Sequence, residues 1–252
     1  PMLVADTETL AQACAQLATL PRVALDTEFV RERTYAAELA LVQLGGDGAV
    51  HLVDPLARAD LAPLVALLQA TGPVKVLHAG RQDVEVLLPL TGAPAGPVLD
   101  TQLAAALLGL PAQIGYGDLV SRELGVQLAK GQARTDWTRR PLSPAQLDYA
   151  ADDVRWLLPL AERLEERLDG LGRLAWLREE CAALADPRLY RADPADAWQR
   201  FKGIEALPPA EQLRLRALAR WREARAQRRN LPRAWVLADD AAREIARVVP
   251  RD

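Results

Sequence analysis

The first part of the chain switches between two hydrophobic periods. Leu10, Cys14 and Leu17 recur at helical spacing behind Asp6 and Thr7, either of which can cap a helix. Over residues 23–29 the period becomes two. Ala24, Asp26 and Glu28 then project to one face of a strand, and Val23, Leu25, Thr27 and Phe29 to the other. Strands are also predicted over 38–44 and 49–54, joined by Gly45-Gly46-Asp47-Gly48, a hairpin signal. A helix over about 59–69 is stopped by Thr71-Gly72-Pro73. The short apolar run 74–79 reads as a buried strand, 82–90 as a helix, 98–99 as a brief strand, and the stretch up to Gly109 as a helix. Strands that first meander and then alternate with helices predict an α/β class with a mixed sheet flanked by helices.

After Gly125 the pattern changes. Residues 126–142 are polar and irregular, with Lys130, Arg134, Asp136, Trp137, Arg139 and Arg140 in one loop. Ser143-Pro144-Ala145-Gln146 is a capping box with proline at the first helical position, so a helix starts there. It is expected to run to about Gly170 with a bend at Pro159. A helix over about 172–185 follows, then a linker containing Pro and Asp, a basic amphipathic helix over 211–229, and a last helix over about 239–247. The division expected is a domain over 1–190, a linker over 191–209, and an all-α extension over 210–252.

At 252 residues the chain is long enough for a substantial core. Its longest apolar run, residues 103–110, is far short of a membrane span, and no basic-then-apolar leader opens it. Two cysteines and two histidines exclude a disulfide framework and a zinc module of the usual kind. The expectation is a reduced, cytoplasmic protein with no membrane partner. A net charge of −3 argues against nucleic acid until it is divided along the chain. Residues 199–252 hold 13 basic and 7 acidic side chains, a balance of +6, whereas residues 1–198 hold 18 and 27, a balance of −9.

Asp26 and Glu28, two apart on one strand, stand roughly 6.6 Å from each other along it. Together on a half-buried sheet they need a positive partner. Hard oxygen ligands suit a pair of divalent cations such as Mg²⁺ or Mn²⁺. Equally, the two acids fit an exposed edge where they pair with Arg31 and Arg33. Tyr149 and Asp153 are four apart on the capped helix and share a face, but Asp152, three from Tyr149, is almost as well placed, so spacing leaves that choice open. A neutral tyrosine there would orient a water rather than deprotonate it. His78 ends a strand and Asp83 falls in the first turn of the next helix, where the helix dipole favours an acid in any case.

The order of these signals is more specific than any of them singly. Asp26-Thr27-Glu28, His78 with Asp83, and Tyr149 with Asp153 resemble the three sequence blocks of the DEDD exonucleases, in the subfamily with a tyrosine in the third block. The longer stretches 26–35, 100–109 and 136–153 look like the bacterial ribonuclease D family, a resemblance covering about residues 3–190. Trp221-Arg-Glu-Ala-Arg225 and the stretch 231–239 resemble the first part of an HRDC domain, a helical nucleic-acid-binding module that is longer in the family. Both chain ends are expected to be cut or processing boundaries.

The resemblance implies a ribonuclease H-like fold. It implies four metal-binding carboxylates, Asp26, Glu28, Asp83 and Asp153, with Tyr149 beside them, and two divalent ions. Thr27, His78 and Gln82 are then expected to contact the terminal nucleotide, and Lys130, Arg134 and Arg139 to reach phosphates, with Arg139 equally suited to pairing with Asp136. Phe29 and Tyr35 are further candidates for stacking on a base, Phe29 on the less favourable face. The function implied is release of nucleoside 5′-monophosphates from RNA 3′ ends, with transfer-RNA precursors as partners. The alternatives are a DNA-directed exonuclease of the same chemistry and a non-catalytic nucleic-acid-binding adaptor.

Overall fold

The computed structural model describes residues 1–57, 59–129, 131 and 135–248. They form two compact units: residues 1–30 with 39–189, and residues 31–38 with 190–252.

The first unit is built on a six-stranded sheet: β1 Met2–Val4, β2 Arg22–Val30, β3 Glu38–Gly46, β4 Ala49–Val53, β5 Val74–Leu77 and β6 Val98–Asp100, in the order β1-β4-β3-β2-β5-β6. β3 and β4 form the expected antiparallel hairpin, with Asp47 and Gly48 at positive φ in its turn. The β1–β4, β2–β5 and β5–β6 pairs are parallel. The sheet is mixed, as the order of patterns predicted. β1, only three residues long, carries no readable alternation and was not anticipated.

Helices α1 Thr7–Leu17, α2 Ala62–Gln69 and α3 Arg81–Thr91 pack in sequence on one another. Asp6 caps α1, accepting from the Thr9 amide at 2.9 Å. On the sheet face that carries Ala24, a buried cluster joins Ala24, Val76 and Leu99 to α4 Thr101–Leu107, α5 Tyr116–Leu124, α7 Leu157–Gly170 and α8 Leu174–Ala183. Preceding α7 is α6 Pro144–Arg155, whose capping box is formed as expected: the Gln146 amide donates to Ser143 Oγ and the Ser143 amide to Gln146 Oε1.

The single bent helix expected over 143–170 is instead two helices with Trp156 between them. Pro159 has no amide to offer, and its ring opposes the carbonyl four residues back, which belongs to Arg155, the last residue of α6. The proline therefore acts upstream of its own position.

Arg140 holds the loop that leads into α6. Its Nε and Nη2 donate to the two carboxylate oxygens of Asp54 at 2.6 and 2.7 Å, and the guanidinium also reaches the carbonyls of Trp137 and Ala40 at 2.7 Å each. Asp54 is buried at the end of β4, and these bonds hold its carboxyl below the usual carboxylate range against the opposing effect of burial. Trp137 and Leu142 from the same loop pack with Ala40, Leu41, Leu52 and Ala150.

The second unit is helical. α9 Pro209–Arg229 and α11 Asp239–Arg247 share a core with the stretch expected to be a linker, which supplies Ala197 and Ile204 from short 3₁₀ turns and Phe201 from between them, and α10 Arg233–Val236 packs on α9. Tyr35 belongs to this unit. Its hydroxyl donates to Glu223 Oε1 at 2.6 Å, and the Arg233 guanidinium lies over its ring at 4.5 Å while pairing with Glu223. Tyr35 is thus committed to a polar contact rather than presented for stacking on a base. Among the described residues no helix is long and apolar enough to cross a membrane.

Arg140→Ala leaves Asp54 buried without its cation, and is expected to cost about 3 kcal/mol. Thermal melts should register this as a fall of roughly 6–12 °C. Arg140→Lys is expected to recover only part of the loss, because a lysine cannot form the bidentate pair.

Candidate active site

Asp26 and Glu28 lie on the Ala24 face of β2. Because β2 runs between β3 and β5, they are not on a sheet edge, and the exposed-edge reading fails. Glycine lets α6 come close to this face. A Cβ at Gly45 would sit 3.2 Å from Ala24 Cβ and 3.3 Å from the Val154 carbonyl, so a side chain there would press the two apart by a few tenths of an ångström. Asp153, next to Val154, thereby meets the strand acids. One carboxylate oxygen from each of Asp26, Glu28 and Asp153 lies within 4.8 Å of the others, and all three side chains are half-buried. Asp152, which spacing could not separate from Asp153, turns instead to Arg155 at 2.6 Å.

Asp83 reaches the group from α3. Its Oδ1 accepts from the Thr27 amide at 3.1 Å and the Thr27 hydroxyl at 2.5 Å, which ties it to the residue between Asp26 and Glu28. The turn before α3 is tightly built. Ala79 adopts a left-handed φ of 55°, and a Cβ on Gly80 would lie 2.7 Å from Leu77 Cβ. Asp100 holds this turn, accepting from the Ala79 and Gly80 amides at 3.1 and 2.8 Å while capping α4 through the Gln102 amide at 2.8 Å. Sequence reading placed Asp100 only in a motif. Its position at a strand-to-helix junction, followed by Thr101, was the signal that it caps.

The remaining expected residues divide. Tyr149 shares a cavity of about 510 Å³ with Asp152, Asp153 and the first turn of α5, and its ring lies 6.1 Å from that of Trp137. Thr27 is buried and committed to Asp83. His78 has both ring nitrogens engaged within the protein, Nδ1 with Thr101 Oγ1 at 2.9 Å and Nε2 with the Ile114 carbonyl at 3.0 Å. Its two nitrogens thereby support the strand-to-helix turns around the site. Gln82 is exposed on α3 beside Asp83. Arg139 is exposed, and the side chain of Asp136 is taken by the amide and hydroxyl of Thr138 at 3.0 and 2.6 Å. Lys130 and Arg134 lie outside the described residues.

The electrostatics follow from crowding acids in a poorly hydrated place. Burial, then Asp83, Asp153 and Glu28, push the Asp26 carboxyl far above the usual range. Burial, then Asp153 and Asp83, raise Glu28 to about 8. Burial raises Asp83 to about 6 against its Thr27 bonds, and burial with Asp152 and Asp83 raises Asp153 to about 7. Tyr149 is displaced upward by burial first and then by Asp153, Glu28 and Asp26, so it stays protonated at neutral pH. Close carboxylates that raise one another's proton affinity form a hard-oxygen set that fits a divalent cation, which would take the place of those protons.

The sequence model of the 3′-5′ exonuclease family matches residues 1–169. The chain belongs to the 3′-5′ exonuclease family. Beyond this exonuclease region, the HRDC domain model matches residues 211–252. The chain is 46% identical to the ribonuclease D of Acidiphilium cryptum over 253 residues, which is 100% of this chain and 64% of that protein. It therefore spans about two thirds of the length of such curated relatives. It is similar to the structure of Escherichia coli RNase D, described as an exoribonuclease involved in structured RNA processing, with a TM-score of 0.90 and 36% identity over 98% of this chain and 66% of that one. Brucella melitensis NrnC with bound Mg²⁺ matches with a TM-score of 0.62 and 28% identity, over 73% of this chain and 87% of that one.

Carboxyls with raised proton affinity stabilise the fold at low pH and lose that contribution as pH rises through their folded-state values. In a chelator, the protein is therefore expected to melt at lower temperature at pH 8 than at pH 5. Asp153→Asn is expected to melt about 3 °C higher than the parent at pH 8, with the gap closing toward pH 5. Equal melting temperatures at pH 8 would show that the acids do not repel one another. Added Mg²⁺ should raise the parent more than the variant.

Proposed function

We propose that this chain is a metal-dependent 3′→5′ exoribonuclease that releases nucleoside 5′-monophosphates from RNA ends. In this reading residues 1–190 are the catalytic domain and residues 210–252 a partial HRDC-like module. The observation that carries it is the close approach of Asp26, Glu28 and Asp153, with Asp83 tied in through Thr27. The choice of RNA is supported by the similarity to ribonuclease D proteins over the whole chain. Precursors of transfer RNA in the cytoplasm are the substrate proposed.

Two divalent ions, Mg²⁺ or Mn²⁺, would be held by Asp26, Glu28, Asp153 and Asp83, and when bound would activate a water and neutralise charge on the scissile phosphate and leaving oxygen. The protein groups do the rest. The carboxylates fix where a phosphodiester can lie, because an anion approaches four acids only where their charge is compensated. Tyr149, kept protonated by its acidic neighbours, is a hydrogen-bonding group that orients a water without taking its proton. Thr27 restrains Asp83 through two bonds, so that the α3 acid keeps its position relative to β2.

The test is digestion of a 5′-labelled RNA oligomer with Mg²⁺ or Mn²⁺, beside a DNA oligomer of the same sequence. The expected result is stepwise shortening from the 3′ end with mononucleotide release, faster on RNA. Asp26→Asn is expected to abolish activity, and Tyr149→Phe to reduce kcat about 100-fold, on the scale of losing one positioned hydrogen-bonding group. Undiminished RNA degradation by Asp26→Asn would overturn the reading. Faster digestion of DNA would move the substrate to DNA and leave the chemistry in place.

A further inference from the structure

Asp153 is the one member of the three-acid cluster that comes from a helix, and that helix ends two residues later. Pro159 accounts for the missing helical bond to the carbonyl of Arg155, since the proline has no amide. It does not account for the carbonyl of Asp152, whose natural partner four residues on is the Trp156 amide. The Tyr116 hydroxyl occupies that place. It donates to the Asp152 carbonyl at 3.1 Å, while the Trp156 amide, turned to the Val154 carbonyl two residues back, faces the Tyr116 hydroxyl oxygen rather than Asp152. A side chain inserted between a helical carbonyl and its amide is a known cause of a helix break.

The inserted hydroxyl is held from outside α6. The Tyr116 ring lies 5.6 Å from that of His78, tilted by 55°. His78 is fixed by Thr101 Oγ1 and by the carbonyl of Ile114, and that carbonyl also accepts from Gln102 Nε2 at 3.0 Å. The position of the Asp152 peptide, and with it the backbone of Asp153, is thereby referred to β5 and α4 rather than to α7.

We propose that Tyr116 is a positioning residue for Asp153, its hydroxyl splitting α6 from α7 so that the Asp153 carboxylate meets Asp26 and Glu28. This rests on the reading of Asp153 as a metal-holding group. It assigns the role to a hydroxyl outside the three sequence blocks. Tyr116→Phe keeps the ring against His78 and removes only the inserted oxygen.

The decisive measurement is Mn²⁺ binding by calorimetry on the full chain, beside steady-state digestion of labelled RNA. For Tyr116→Phe, Mn²⁺ affinity is expected to fall roughly tenfold, as when a group orienting a metal ligand is lost. kcat is expected to fall in parallel, with KM for RNA unchanged. Unchanged Mn²⁺ affinity in the folded variant overturns the proposal, and so does a loss confined to KM, which would make Tyr116 a substrate contact. If Tyr116→Phe does not fold, Gln102→Ala, which removes one bond from the Ile114 carbonyl, is expected to weaken Mn²⁺ binding about threefold; no change there overturns the proposal equally. A parent that binds Mn²⁺ but leaves RNA intact would refute the exoribonuclease reading, and the Mn²⁺ comparison would still decide the role of Tyr116.

Discussion

Mutual repulsion among four buried or half-buried carboxylates is the constraint around which the first unit is organised. Two of the acids are consecutive on one face of an interior strand, and a third is brought toward them by a helix whose close approach a side chain at residue 45 would loosen. The fourth is tied down by Thr27. Left to itself, such an arrangement would open. It is held by features outside the cluster of acids: the capping box of α6, the tight turn at Ala79 and Gly80, and the apolar seam joining Ala24, Val154 and Leu157. A site of this kind is stable by virtue of its scaffold and unstable by virtue of its chemistry, the usual relation between function and stability.

Much of this was legible in the sequence because it is local. The period-two pattern over 23–29 located β2 and the face of its acids, and Ser143-Pro144 located the start of α6. The choice between Asp152 and Asp153 was not legible, because three and four residues on a helix point almost alike. It is settled by Arg155, which takes Asp152. The partners of His78 were hidden for a related reason. A histidine at a strand end looks available in sequence, and only the fold brings Thr101 and the Ile114 carbonyl to its two nitrogens. Arg140 was one basic residue among several in a loop, and its partner Asp54 lies 86 positions away. The bend expected at Pro159 was displaced because a proline disturbs the turn before it.

The charge division along the chain also reads differently in three dimensions. The basic excess of the second unit is not all available to a partner. Arg222 is buried over the Phe201 ring and bonded to Asp239, and Arg233 is spent on Glu223 and Tyr35. Arg216 lies over the Trp198 ring at 4.2 Å. Several of the arginines that make this unit basic are therefore structural, and formal charge overstates the field that it projects.

The break at Trp156 has a consequence for how the chain can change over time. α7 contributes Leu157, Leu160, Ala161, Leu164 and Leu168 to the core, and in an unbroken helix any repacking of those side chains would tilt the axis that carries Asp153. With the helix divided, repacking along α7 reaches α6 through the cluster that Val154 and Leu157 share, instead of along one rigid axis. The division thus weakens, without removing, the lever between the core of α7 and the position of Asp153.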